Sequence, residues 1–167
     1  MKSLVRCIES MSFWTARISG VLLGLMTLLI LVEIFLWNLF EKTTLVADEY
    51  CAYGLAAIIF LGSGFCLKER GHIRITLVLG FLPGRLARVI TFCATLVTTL
   101  FMGYLWWYLL LMVQATWRYH STSGTLTNTP LWIPQSLMLV GAAGLLLQLA
   151  ATTLRTFDAI SSAEEVL

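Results

Sequence analysis

Four uninterrupted apolar stretches dominate this chain and dictate the solvent it folds in. They run over about 18–40, 47–67, 89–112 and 131–154. A hydrocarbon core of about 30 Å needs roughly 20 helical residues, so each stretch is long enough to cross. Lipid offers no partner to an unpaired N–H or C=O, which leaves helices or a closed β-barrel as the spanning structures. Runs such as "GVLLGLMTLLILV" lack the alternation that a barrel strand requires. Composition agrees, with 59% of the 167 residues hydrophobic and only 12% charged. A soluble domain carries about a quarter of its residues as charges. The expectation is an all-α integral membrane protein: one membrane domain over 1–167 with four transmembrane helices.

Charge placement orients the chain. Lys2, Arg6 and Arg17 precede the first span, Lys68, Arg70, Arg74, Arg85 and Arg88 lie between the second and third, and Arg155 follows the fourth. The two other connections hold only Lys42 and Arg118. Lys and Arg collect in short cytoplasmic loops, so both termini and the loop at 68–88 are expected in the cytoplasm. In that loop Lys68, Arg70, His72, Arg74, Arg85 and Arg88 form the expected anchor to phospholipid headgroups. Its continuation, "IRITLVLGFLP", is too short to cross and too apolar to dissolve, which favours a short interfacial helix closed by Pro83. The segment "SLVRCIESMSFW" spaces Leu4, Ile8, Met11 and Trp14 for a short surface helix, with a frayed terminus as the alternative. The first apolar run exceeds the roughly 7–15 residues of a signal-peptide core, so it is expected to be retained.

Side chains that bear chemistry are few. His72 and His120 lie outside the spans, and Cys7, Cys51, Cys66 and Cys93 have neither C-x-x-C spacing nor a neighbouring His. The cysteines read as packing residues and His72 as a headgroup or partner contact, with no cofactor or metal expected. A net charge of +2 gives no case for nucleic acid. Trp14, Trp37, Trp106, Trp107, Tyr108 and Trp132 are expected in the interfacial belts. Gly20 and Gly24 form a G-x-x-x-G that permits close helix contact. Glu33 is the one residue inside a span that needs an account, since an ionisable group in a membrane helix usually faces protein or a water-filled cavity. It is expected to hydrogen-bond a Thr or Gln of another span or of a partner subunit, rather than to serve an ion path.

Two blocks carry a resemblance. "VADEYCAYGLAAIIFLGSGFCLKERGHIRITLVLGFLPGR" holds an acidic pair (Asp48, Glu49), Tyr53, Phe60-Leu61-Gly62, a basic burst, Gly-His-Ile-Arg and Leu82-Pro83. "GTLTNTPLWIPQSLMLVG" holds Pro130, Trp132, Ile133, Pro134 and Gln135 at the entry to the last span. In this order they resemble the small, DctQ-type membrane subunit of tripartite ATP-independent periplasmic (TRAP) transporters. The chain departs from the family's common pattern at Ala52, at Trp37-Asn38 and at Ile75-Thr76.

The resemblance implies an accessory, non-enzymatic subunit in the bacterial inner membrane. Its implied partners are a large permease subunit and a periplasmic substrate-binding protein. Together they take up a small organic anion, commonly a carboxylate, on an ion gradient that is usually sodium. Glu33, Asp48, Glu49, Tyr53, Gly62, Pro130, Trp132, Pro134 and Gln135 are then the candidate contacts with the partner subunits. The alternatives are a small four-helix membrane enzyme, which wants basic and aromatic residues around a cytoplasmic cleft, and a homo-oligomeric channel or exporter, which wants a polar stripe along a span.

Overall fold

The computed structural model describes the backbone of residues 2–69 and 83–164, and their side chains except at 2–7, 9, 85 and 159–164. Four helices account for nearly all of it: α1 (Lys2–Phe40), α2 (Ala47–Lys68), α3 (Gly84–Arg118) and α4 (Trp132–Glu164). All four are long and apolar enough to cross a membrane. Thr hydroxyls inside them turn back on their own helix. Those of Thr91, Thr98 and Thr152 donate to the carbonyl four residues earlier at 2.8 Å each, so apolar surroundings cost them nothing.

Packing sets the helices in a row. α2 lies against α1 and α4, α4 lies against α2 and α3, and α1 touches α4 more lightly. The order across the layer is therefore α1, α2, α4, α3. In the most apolar window of each helix, 33% of α4 is buried, but only 6% of α1 and of α3. α4 is the spine of the protein, and the two flanking helices turn most of their surface outward.

The α2–α4 seam is made by small residues. A Cβ on Gly141 would sit 2.5 Å from the backbone carbon of Phe60, and one on Gly64 would meet the Gly144 backbone at 3.5 Å. Backbones that approach this closely gain dispersion along the whole seam, the main attraction available between helices in lipid. The two helices run parallel. α3 runs antiparallel to α4, joined by the Thr99 and Thr153 hydroxyls at 3.0 Å, with Phe92 against Phe157 at 5.8 Å. Leu67, Met102, Ala142 and Leu149 form the buried centre, with Trp106 packed on it. α1 is tied to α2 where the Ser19 hydroxyl donates to the Ile58 carbonyl at 3.0 Å, close to the space left by Gly62.

Several expectations change. The amphipathic stretch at 3–14 is helical, but it runs without a break into α1. α3 continues about three turns past Tyr108, which sets Trp106 well inside the helix rather than at its end. Its ring is half-buried and packs against the buried centre, with Nε1 buried and unpartnered among the described residues. Trp37 and Trp132, both expected in the belts, stand near the ends of α1 and α4, and Trp117, not among those expected, stands at the end of α3. Among the described residues nothing beyond the local helix backbone comes within 4 Å of a Cβ on Gly20 or Gly24, so this G-x-x-x-G packs on no described helix. The interfacial helix expected over 73–82 lies outside the described residues, as do Arg70, His72, Arg74 and the side chain of Arg85.

The start of α1, the end of α2, the start of α3 and the end of α4 share one end of the row, here called the terminal end. The 41–46 and 119–131 connections share the other, the loop end.

Candidate functional site

Most of the polar architecture is at the loop end. α3 stops in a Schellman motif, with the Ser121 N–H donating to the Thr116 carbonyl at 3.1 Å and the His120 N–H to the Trp117 carbonyl at 3.4 Å. His120 stands at the left-handed position, φ 49°, where glycine is usual. The chain then doubles back as a narrow hairpin. The Ser123 N–H donates to the Thr129 carbonyl at 2.9 Å, and the Leu131 N–H to the Ser121 carbonyl at 3.1 Å. Thr122 and Pro130 form a bridge at its neck.

One face of this hairpin is a row of hydroxyls aimed at Glu49 in the first turn of α2. Glu49 is only 9% exposed. Its Oε1 accepts from the Tyr53 hydroxyl at 3.0 Å, and its Oε2 accepts from the hydroxyls of Thr125 and Thr127. Ser123 and Thr125 are linked at 2.8 Å, Thr129 donates to Thr127 at 3.0 Å, and the Thr129 hydroxyl reaches Tyr50 at 3.3 Å. A carboxylate in this setting needs donors, and the hairpin supplies them. Its other face is open: Leu126 is 79% exposed and Tyr119, at the base, 76%.

Glu33 does the same for the shorter connection. Its carboxylate accepts from the Thr43 and Thr44 hydroxyls and from the Thr44 N–H at 2.8 Å. The expected partner is a Thr or Gln of another span or of a partner subunit. The observed partners lie in the 41–46 connection because so short a loop folds straight back over the end of α1. Its strained turn, with Glu41 at φ 51° and Leu45 at φ 56°, needs such an anchor.

The remaining candidates are dispersed. Asp48 is exposed beside Glu49, where a negative charge complements the N-terminus of α2. Pro134 is buried and lines a groove of about 360 Å³ between α1, α2 and α4. Trp132 meets Trp117 edge-on at 4.7 Å. Gln135 keeps a buried Oε1 with no partner among the described residues. Gly62 lies in the interior of the α1–α2 pair, and Pro130 is exposed at the hairpin neck. At the terminal end Lys68 pairs with Glu69 at 4.0 Å, and Arg88 Nε donates to the Gly84 carbonyl at 3.1 Å. The structure thus brings Glu49, Tyr53 and the hairpin of Pro130 together, with Pro134 lining a groove shared with Tyr53, and separates the rest.

Sequence reasoning missed Ser123, Thr125, Thr127 and Thr129, although the signal was present. Hydroxyls recur at every second position of "STSGTLTNT", and a period of two puts them on one face of an extended segment. It also missed Gly141, whose role shows only once α2 lies beside it. Among the described residues, no group of three or more His, Cys, Asp or Glu is placed to hold a metal ion. The arrangement is a pair of carboxylate latches that fix the two loop-end connections to the helices.

A family model described as tripartite ATP-independent periplasmic transporters, DctQ component, matches residues 26–159. No curated protein and no solved structure matches the chain. The matched region takes in three helices whole or nearly so, the latter half of α1, and both latches. With well over half of its length matched, the chain belongs to the DctQ component family of TRAP transporters.

Proposed function

We propose that this small TRAP membrane subunit pairs with a large permease subunit and a periplasmic substrate-binding protein, as a scaffold for uptake of a small organic anion such as a carboxylate. Sodium is the coupling ion in this reading, and the chain carries no catalysis of its own. The observation that carries the proposal is the row of helices. α1 and α3 each leave a long apolar flank uncovered, with Leu23, Leu31 and Phe35 at 54–58% exposure on one and Val97, Leu100 and Phe101 at 64–66% on the other. Such flanks suit a large membrane partner as well as they suit lipid. The span hydroxyls, bonded back to their own helices, leave little from which to line a polar path. Reconstituted alone under a sodium gradient, with a binding protein present, the chain is expected to give no uptake of organic anions. Adding the large subunit is expected to restore it. Robust uptake by the lone chain would refute the scaffold reading.

The same proposal places the loop end in the periplasm and both termini in the cytoplasm of a bacterial inner membrane, as the distribution of basic residues favours. The two latches then hold the periplasmic connections, within reach of a binding protein. In a background lacking the four native cysteines, a cysteine at position 126 is expected to react with an impermeant thiol reagent from outside, and one at position 72 only after lysis. The reverse pattern would invert the topology.

A further inference from the structure

A cleft of about 740 Å³ opens at the loop end, between the last turns of α3 and the first turns of α4. Three of its lining residues, Leu111, Gln114 and Arg118, follow one another at spacings of three and four along α3. They therefore share a face of the helix and climb it in the order apolar, amide, cation. Leu111 to Arg118 is a rise of about 10 Å at 1.5 Å per residue. Over that distance a phospholipid passes from acyl chain through glycerol ester to phosphate. Trp117 and Trp132, edge-on at 4.7 Å, also line the cleft. Indole rings favour this interfacial depth, with one end apolar and the other wet.

Arg118 makes no ion pair or hydrogen bond among the described residues, and no carboxylate lines the cleft. A guanidinium presents a planar fork of donors that matches a phosphate, and this one lacks an internal anion. We propose that the α3–α4 cleft is a phospholipid site, with the phosphodiester on Arg118, the ester region beside Gln114 and an acyl chain along Leu111. A soluble anion has no use for the apolar lower part of the cleft, which opens where Leu111 is 42% exposed. The inference requires only that the helices span a bilayer, and holds for either orientation.

The test uses the full chain in mild detergent, delipidated and then supplied with phosphatidylglycerol carrying a photoactivatable acyl chain. Native mass spectrometry is expected to show one retained lipid per chain, and photolysis is expected to label α3 around Leu111. Arg118→Gln should lower the occupancy about fivefold, the scale of one cation against an anionic headgroup. Arg118→Lys, which keeps the charge and loses the fork, should fall between. Far-UV circular dichroism confirms that each variant stays folded. Unchanged occupancy in Arg118→Gln, or labelling confined to other helices, overturns the site. Displacement of the lipid by millimolar glycerol phosphate overturns it as well, since the cleft would then be holding a soluble phosphate.

Discussion

Gly141→Ala is expected to destabilise the protein by about 1–3 kcal/mol, the usual cost of forcing extra volume into a close-packed contact, and Gly141→Leu to prevent the helices from assembling. The reason is which atoms would collide. A Cβ at this position meets the Phe60 carbonyl carbon at 2.5 Å, the Leu61 nitrogen at 2.6 Å and the Phe60 oxygen at 2.7 Å. All three are backbone, so no rotamer change relieves the overlap, and α2 must move bodily away from α4. Gly54 makes the contrast. A Cβ there would run into Met26 Sδ, but a thioether at the end of a flexible side chain can swing aside, so Gly54→Ala is expected to be much milder. Gly24→Ala, in open space within the chain, should leave the isolated subunit unchanged. Thermal unfolding of the three alanine variants in detergent checks the ranking. Gly141→Ala with wild-type stability would mean that the α2–α4 contact is looser than drawn.

This contrast also shows what a sequence of this kind discloses. Helix number and the starts of α2 and α4 were legible, because lipid imposes length and apolarity directly on the chain. The choice among glycines was not. G-x-x-x-G flags Gly20 and Gly24, yet the tight contact falls on Gly141, since which small residue faces a neighbour depends on the order of helices in the row. Trp106 misled for a related reason. It sits among aromatic neighbours that read as a belt, but the helix continues to Arg118 and packs it, half-buried, against the core. Glu33 was legible as a carboxylate needing a partner, Glu49 only as half of the acidic pair that carries the resemblance, and the partners of both were hidden in loops that hydropathy treats as mere connections. Only the alternation of hydroxyls in 121–129 announced that one loop has a polar face with a target.

Glu49→Ala is expected to release the 119–131 hairpin while the four helices stay assembled. The carboxylate accepts the Thr125, Thr127 and Tyr53 hydroxyls. Removing it leaves three donors without their shared acceptor, while the α2–α4 seam, made by Gly64, Gly141 and Gly144, is untouched. The hairpin has little else to hold it, because its own ladder is a single bridge and a few backbone bonds. Local opening free energies set amide exchange, and the loss of buried hydrogen-bond partners is felt there first. The Ser123 and Leu131 amides, bonded to the Thr129 and Ser121 carbonyls, should therefore exchange about tenfold faster or more, with the amides of α2 and α4 unchanged. Glu49→Gln keeps one acceptor oxygen and should fall between. In the reconstituted transporter, uptake that depends on a binding protein should drop in Glu49→Ala although the membrane subunits still copurify. That is the outcome if the ordered hairpin, with Leu126 and Tyr119 held outward, belongs to the surface a periplasmic partner meets. Equal acceleration of exchange throughout the helices would show that Glu49 supports the bundle rather than the loop. Faster hairpin exchange with undiminished uptake would show that the hairpin's order serves the fold and not the partner.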